Sequence, residues 1–316
     1  METGWWWMMG WLRSGSGVSE CQSVRVSECQ VAEVRVVTLV FLKLGGSLIT
    51  DKTQAETPRQ DVLQGLALEV RQARAEAPEL RMVLAHGSGS FGHVAARRHG
   101  TRAGVTGQAG WQGFAEVSDA AARLNRIVAG VFLAAQLPVW SVPPSAGGWC
   151  ADGRLSRWLP ELFVMSLERG LLPLTYGDAV LDTVRGGTIA STEELFAWLV
   201  PHLHPARIVL AGTVDGVFSR DPLADPYAEQ WPEITPTTLP GLRASLGGSH
   251  GVDVTGGMLS KVTEMVQLVT AYPGLEVRIV SGLRHGAVQA ALLGWDAAGG
   301  TIIRASHVVE TPSFPS

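Results

Sequence analysis

Met82-Val83-Leu84-Ala85-His86-Gly87-Ser88-Gly89-Ser90-Phe91-Gly92-His93 runs from an apolar stretch into a glycine-rich loop and on into helix-compatible sequence. A short apolar run that stops at a glycine turn reads as a buried strand. The glycines free the turn to aim backbone N–H groups at an anion in front of a helix N-terminus. The segment therefore predicts a strand–loop–helix unit with a phosphate site. Its spacing Gly87-x-Gly89-x-x-Gly92 fits the dinucleotide fingerprint, yet no strand ending in an acidic residue follows at the expected distance. The same glycines fit the start of a nucleotide P-loop, but His93 and Val94 stand where that loop needs Lys and Ser or Thr. His93 is the residue that has to be explained.

Outward from this unit, apolar runs recur at 36–42, 139–142, 171–175, 207–211 and 277–280, separated by helix-like stretches at 61–75, 115–136, 192–203 and 258–271. Such alternation predicts an α/β fold, a mostly parallel sheet with helices on both faces, and places ligands at the carboxyl ends of the strands. Pro201 to Pro205 is a plausible seam between two halves, and the tail from Ala305 lacks periodicity.

The glycine-rich and charged clusters fall at those strand ends. Lys43-Leu44-Gly45-Gly46-Ser47 follows the first strand with a cation, two glycines and a hydroxyl, and Lys52 comes shortly after. Asp253-Val254-Thr255-Gly256-Gly257-Met258 opens a helix bearing Lys261, with Thr255 as its N-cap. Two lysine and glycine-pair units in one chain point to joint phosphate binding, because phosphoryl transfer needs positioning and positive charge around the moving group. Asp178, after Gly177, can orient a lysine or hold a Mg²⁺-bound water. Glu193 and Glu194 read as helix-start acids. Asp215-Gly216 and Arg220-Asp221-Pro222 bracket a turn suited to a nucleotide base and ribose. His202 and His204 read as surface residues, and Trp149, Trp158 and Trp198 as packing.

The 316 residues, 46% of them apolar, can bury a large core. A net charge of −4 without a basic run gives no footprint for nucleic acid and favours a small-molecule partner. Cys21, Cys29 and Cys150 are expected as free thiols in a reducing cytoplasm. The stretch Gly4-Trp5-Trp6-Trp7-Met8-Met9-Gly10-Trp11-Leu12 is too short to span a bilayer, and Val18–Gln22 recurs as Val26–Gln30. Residues 1–36 read as a poorly ordered extension and no membrane role is expected.

In this order the pieces resemble the amino acid kinase superfamily, and within it the isopentenyl phosphate kinases. The likeness spans roughly 37 to 304 and rests on Lys43 to Lys52, Gly87 to His93, Phe114 to Arg126, Tyr176-Gly177-Asp178, Val214 to Val217 and Gly251 to Met258. The resemblance implies a three-layer αβα sandwich with two lobes in one domain: an acceptor-binding lobe at 37–200, a nucleotide-binding lobe at 201–304 and a tail at 305–316. It implies transfer from Mg·ATP to isopentenyl phosphate, ATP and Mg²⁺ as cofactors, no protein metal ligands, and a cytoplasmic homodimer. Carried over, it makes His93 the grip on the acceptor's phosphate, with Gly87, Ser88, Gly89, Gly92 and Lys52 beside it. Lys43 and Lys261 neutralise the transferred group, Asp178 orients the lysines, and Gly45, Gly46, Ser47, Asp215, Gly216, Asp221, Gly256 and Gly257 serve ATP. Three departures stand out: Ser88 interrupts a usual glycine triplet, Glu193 replaces an aspartate, and Gly212-Thr213-Val214 lacks an acid before Asp215. Fosfomycin kinases, or a noncatalytic nucleotide-binding protein on the same fold, are the alternatives.

Overall fold

The computed structural model describes residues 38–247 and 256–305. Residues 1–36 with Cys21 and Cys29, the Thr255 cap and the tail beyond Ala305 lie outside the described residues.

The first half contributes β1 (Leu39–Leu44), α1 (Gly46–Ile49), β2 (Thr50–Asp51), β3 (Thr57–Pro58), α2 (Gln60–Glu76), β4 (Arg81–His86), α3 (Gly89–His99) and α4 (Gly107–Ala134). Then come β5 (Val139–Ser141), β6 (Trp149–Ala151), β7 (Arg154–Arg157), α5 (Glu161–Glu168), β8 (Leu172–Tyr176), β9 (Asp178–Asp182), β10 (Gly186–Ala190) and α6 (Thr192–Leu203). The remainder supplies β11 (Arg207–Gly212), β12 (Val217–Phe218), β13 (Gln230–Trp231), β14 (Glu233–Ile234), α7 (Leu239–Gly247), α8 (Gly256–Ala271), β15 (Glu276–Ser281), α9 (Ala287–Leu293) and β16 (Thr301–Ile303).

Eight strands form one sheet in the order β14-β16-β15-β11-β1-β4-β8-β5, parallel except where β15 meets β16. Its central strands are continuous apolar runs because both of their faces are covered. Alternate side chains serve two cores. Val40, Leu42, Leu84 and Val209 pack with α2, α4 and α9, whereas Phe41, Val83, Ile208 and Val277 pack with α5, α6 and α8. The molecule is therefore the expected αβα sandwich.

The six strands read from apolar runs all form, each within about three residues of the run. A second sheet, β10-β9-β6-β7, was not expected. Its strand β9 starts at Asp178, directly after Gly177 at the end of β8, and Ile189 of β10 pairs with Ala179. Pro201 lies in the last turn of α6, which ends on His204 in a left-handed C-cap (φ 48°), so the chain reaches β11 through a helix end. Trp158 packs edge-on against Phe163 at 4.9 Å in the core, as expected, but Trp149 is 46% exposed. Cys150 is a buried free thiol, pushed up to about 11 by burial.

Candidate active site

β1 lies between β11 and β4, so the loops leaving its carboxyl end open a crevice on either side. Two clefts occupy this crevice. One, of about 380 Å³, is lined by Lys43, Gly46, Ser47, Lys52, the loop Gly87-Ser88-Gly89, Gly92, Arg102, Gly177, Glu193 and Lys261, with Ala96, Val117, Ala121 and Ile189 as apolar walls. The other, of about 510 Å³, is lined by Lys43, Gly45, Gly46, Ser47, Lys52 and Lys261 together with Gly212 to Val214, Gly216, Arg220 to Leu223, Gly257 and Met258. Both clefts share Lys43, Gly46, Ser47, Lys52 and Lys261. The three lysines stand where the clefts meet.

The two glycine loops that form this junction touch backbone to backbone. A Cβ on Gly46 would lie 2.5 Å from the Gly89 nitrogen, and Gly89 itself has φ +51°, a conformation that disfavours side chains. Thr50 ties them: its hydroxyl donates to Gly46 O at 2.7 Å and accepts from the Ser90 amide at 2.9 Å. Not every glycine expected to offer an amide does so. Gly45 N donates to Ala211 O at 2.8 Å and Gly87 N to Leu44 O at 3.1 Å, so the fold itself consumes both. Among the described residues, the amides of Gly46, Ser47, Ser88 and Gly89 have no acceptor in the chain. These four line the junction, and Ser88, the departure from a glycine triplet, contributes one of them.

Glu193 organises the lysines. It is the second residue of α6, on the stripe with Phe196 and Val200 that faces the core, and it is 6% exposed. Its carboxylate pairs with Lys43 and lies 3.8 Å from Lys261 Nζ. Burial pushes this carboxyl up, but the two ammonium groups outweigh burial and hold it below the usual carboxylate range. Lys43, 8% exposed, is pulled down by burial, with Lys261 adding to that pull and Glu193 opposing it. Lys261 is half-exposed.

Glu193, rather than Asp178, is the carboxylate paired with the lysines. Asp178 accepts from Ser145 Oγ at 2.6 Å and from the Ala179 amide at 2.7 Å, and no lysine pairs with it among the described residues. Burial raises its carboxyl, a cost that hydrogen bonds from Ser145, Ser118 and Ala179 only partly offset. Glu194, the other presumed helix-start acid, does cap: Ser191 and Glu194 form a reciprocal capping box at 3.2 and 2.6 Å. Arg102, on the cleft wall and unforeseen in sequence, clamps Glu194 with two bonds of 2.9 and 2.7 Å.

Asp215 is not among the residues that line the second cleft. Its carboxylate accepts from the Ser281 amide and from Arg284, both at 3.0 Å, which pins the loop that presents Gly216 to the cleft. Asp221 lines that cleft, and Gly256 begins α8 just ahead of Gly257. His93 lies in α3, where helical spacing puts its position on the face of Gly89, Gly92 and Ala96, three lining residues. Its side chain lies outside the description. No residue of 142–149 lines the cleft of Gly87 to Gly89, and Ser145 buttresses Asp178.

Among the described residues no group of three His, Cys, Asp or Glu side chains is placed to hold a metal.

The model of the amino acid kinase family matches residues 38–281. The isopentenyl phosphate kinase of Methanothermobacter thermautotrophicus is 34% identical over 276 residues, covering 85% of this chain and 100% of that protein. That of Haloferax volcanii is 37% identical over 235 residues, covering 73% of this chain and 89% of the relative. A crystal structure of an isopentenyl phosphate kinase superposes with a TM-score of 0.70 at 31% identity, covering 84% of this chain and 99% of that one. The chain belongs to the amino acid kinase family.

Proposed function

We propose that the protein transfers the γ-phosphoryl group of ATP to isopentenyl phosphate, giving isopentenyl diphosphate and ADP. The observation that carries this reading is the pair of clefts meeting at Lys43, Lys52 and Lys261, one with apolar walls and one formed by the later strands. The names of the relatives supply the acceptor.

In this reading the prenyl tail lies against Ala96, Val117, Ala121 and Ile189, and its phosphate meets the free amides of Ser88 and Gly89, Lys52 and His93. ATP enters the other cleft, its phosphates against the amides of Gly46 and Ser47. An acceptor oxygen attacks the γ-phosphorus while the bond to the β-bridging oxygen breaks, and ADP carries away that electron pair. The attacking phosphate is already anionic near neutral pH, so no strong base is needed. Lys43 and Lys261, held by Glu193, offset the charge that spreads over the moving group. Magnesium comes as part of the Mg·ATP substrate, held by phosphate oxygens.

The reading includes an acceptor lobe at 37–200, a nucleotide lobe at 201–304, a cytoplasmic location and a homodimer, the last checked by sedimentation. No helix among the described residues is long and apolar enough to cross a membrane. The deciding experiment measures ADP release with isopentenyl phosphate, dimethylallyl phosphate, fosfomycin, UMP and aspartate in turn. Turnover should be greatest with isopentenyl phosphate. Preference for fosfomycin would transfer the assignment to a phosphonate kinase, and silence on all five would leave a nucleotide-binding protein.

A further inference from the structure

His86, the last residue of β4, is fully buried directly beneath the glycine loop. Its ring stacks on Tyr176 at 5.4 Å and 7°. Nδ1 lies 3.1 Å from the Gly87 carbonyl oxygen, and Nε2 lies 3.2 Å from Asn125 Oδ1, while Asn125 Nδ2 lies 2.9 Å from Ser141 Oγ; the two ends of this amide exchange places by a half-turn about its last side-chain bond. Its own carbonyl accepts from the Gly177 amide at 3.2 Å and from the Thr192 hydroxyl at 3.1 Å. One residue thus joins β4, β8, α4 and the start of α6 to the loop, and none of the proposed chemistry uses it.

Burial pushes the imidazole down to about 4, against the hydrogen bonds to Gly87 and Asn125, so the ring is neutral at physiological pH and has one N–H. That proton belongs on Nδ1. A backbone carbonyl can only accept, whereas the Asn125 amide can turn to offer Nδ2 to Nε2 and leave Oδ1 for the Ser141 hydroxyl. With the proton on Nε2, two lone pairs would face each other between Nδ1 and Gly87 O. A trans peptide is planar, so its C=O and N–H point in opposite directions. Tethering the Gly87 carbonyl to the buried ring therefore turns the Ser88 N–H the other way, toward the cleft that Ser88 lines.

We infer that His86 is a positioning residue for phosphoryl transfer, whose Nδ1–H holds the Gly87–Ser88 peptide so that the Ser88 amide is presented to the acceptor's phosphate. The inference rests on the proposed reading that this cleft takes a phosphate. His86→Leu removes the tether, and His86→Asn restores an amide N–H at the place of Nδ1. For His86→Leu, kcat/KM for isopentenyl phosphate should fall about 10- to 100-fold, the value of one hydrogen bond to a charged group, with KM for ATP within about twofold. His86→Asn should recover most of it. In the unsubstituted protein, ¹⁵N spectra of the imidazole should report the Nδ1–H tautomer at neutral pH. An Nε2–H tautomer, or equal losses in the two variants while the unsubstituted enzyme turns over, overturns the inference alone. If the unsubstituted protein phosphorylates no acceptor, the proposed function fails. The tether is then decided by titrating inorganic phosphate against the Ser88 amide resonance: a shift in the unsubstituted protein and His86→Asn but not His86→Leu supports it, and no shift in any of them overturns it.

Discussion

Replacing Glu193 by Gln keeps the shape of the side chain and removes the charge between Lys43 and Lys261. Lys43 and Glu193 are 8% and 6% exposed, so the change leaves a buried ammonium without its counter-ion. Breaking such a pair costs about 3–5 kcal/mol. Lys261 is half in water, and screening limits its share to under about 1 kcal/mol. In a domain of this size the loss lowers Tm by roughly 6–20 °C. The sign of the pH dependence follows from the pair. Glu193 has a folded pKa below its unfolded value, so its stabilisation is complete above the ordinary carboxylate range and is lost as pH falls through the folded value. The Tm gap between the parent and Glu193→Gln should therefore close in acid. Activity moves differently: burial already lowers Lys43, and without Glu193 it falls further, so the alkaline limb of kcat shifts to lower pH in the variant. Calorimetric scans and ADP-release profiles over the same pH series test both statements. A Tm gap that is constant with pH, or an alkaline limb that does not move, would refute the account of Glu193.

Asp178→Asn provides the contrast. Burial holds the Asp178 carboxyl above its ordinary value, so its ionisation costs stability at neutral pH, and the amide should match or raise Tm there. That advantage should disappear as pH falls below the ordinary carboxylate range, and the alkaline limb of kcat should stay in place; a shifted limb would return Asp178 to the lysines. His93→Ala should cut kcat/KM for isopentenyl phosphate by at least about 10-fold while leaving ATP affinity, measured by calorimetry, unchanged. Gly46→Ala forces a Cβ to 2.5 Å from the Gly89 nitrogen, so chemical denaturation should show a loss of about 1–3 kcal/mol, and KM should rise for both substrates.

The strands were legible because burial on two faces writes a continuous apolar run, as in Val40 to Leu42 or Ile208 to Leu210. The second sheet left no such trace: Gly186-Gly187-Thr188-Ile189-Ala190 lacks a long run, and Trp149 and Leu181 point half into solvent. At the site, the lysines beside glycine pairs could be read because both features are local. Glu193 could not be separated from Glu194 by helix-start preference, which favours acids at both positions. The available signal was its place on the buried stripe of α6, a carboxylate among Phe196, Leu199 and Val200. That the amides of Gly45 and Gly87 are taken up by Ala211 and Leu44 cannot be read locally, since both acceptors belong to other strands. Partners that folding brings from elsewhere in the chain leave no mark in local spacing.

The meeting of Gly46 with Gly89 bears on how this site can vary. In most packed contacts an enlarged residue can be accommodated by trimming its neighbour, and second-site suppressors arise in that way. Here both neighbours are already at the minimum, and the atoms that each presents to the other are main chain. Neither position has anything left to give up for the other. The junction of the two loops therefore has no compensatory route through this pair, and a lineage can keep it or lose it but cannot rebuild it by matched substitutions.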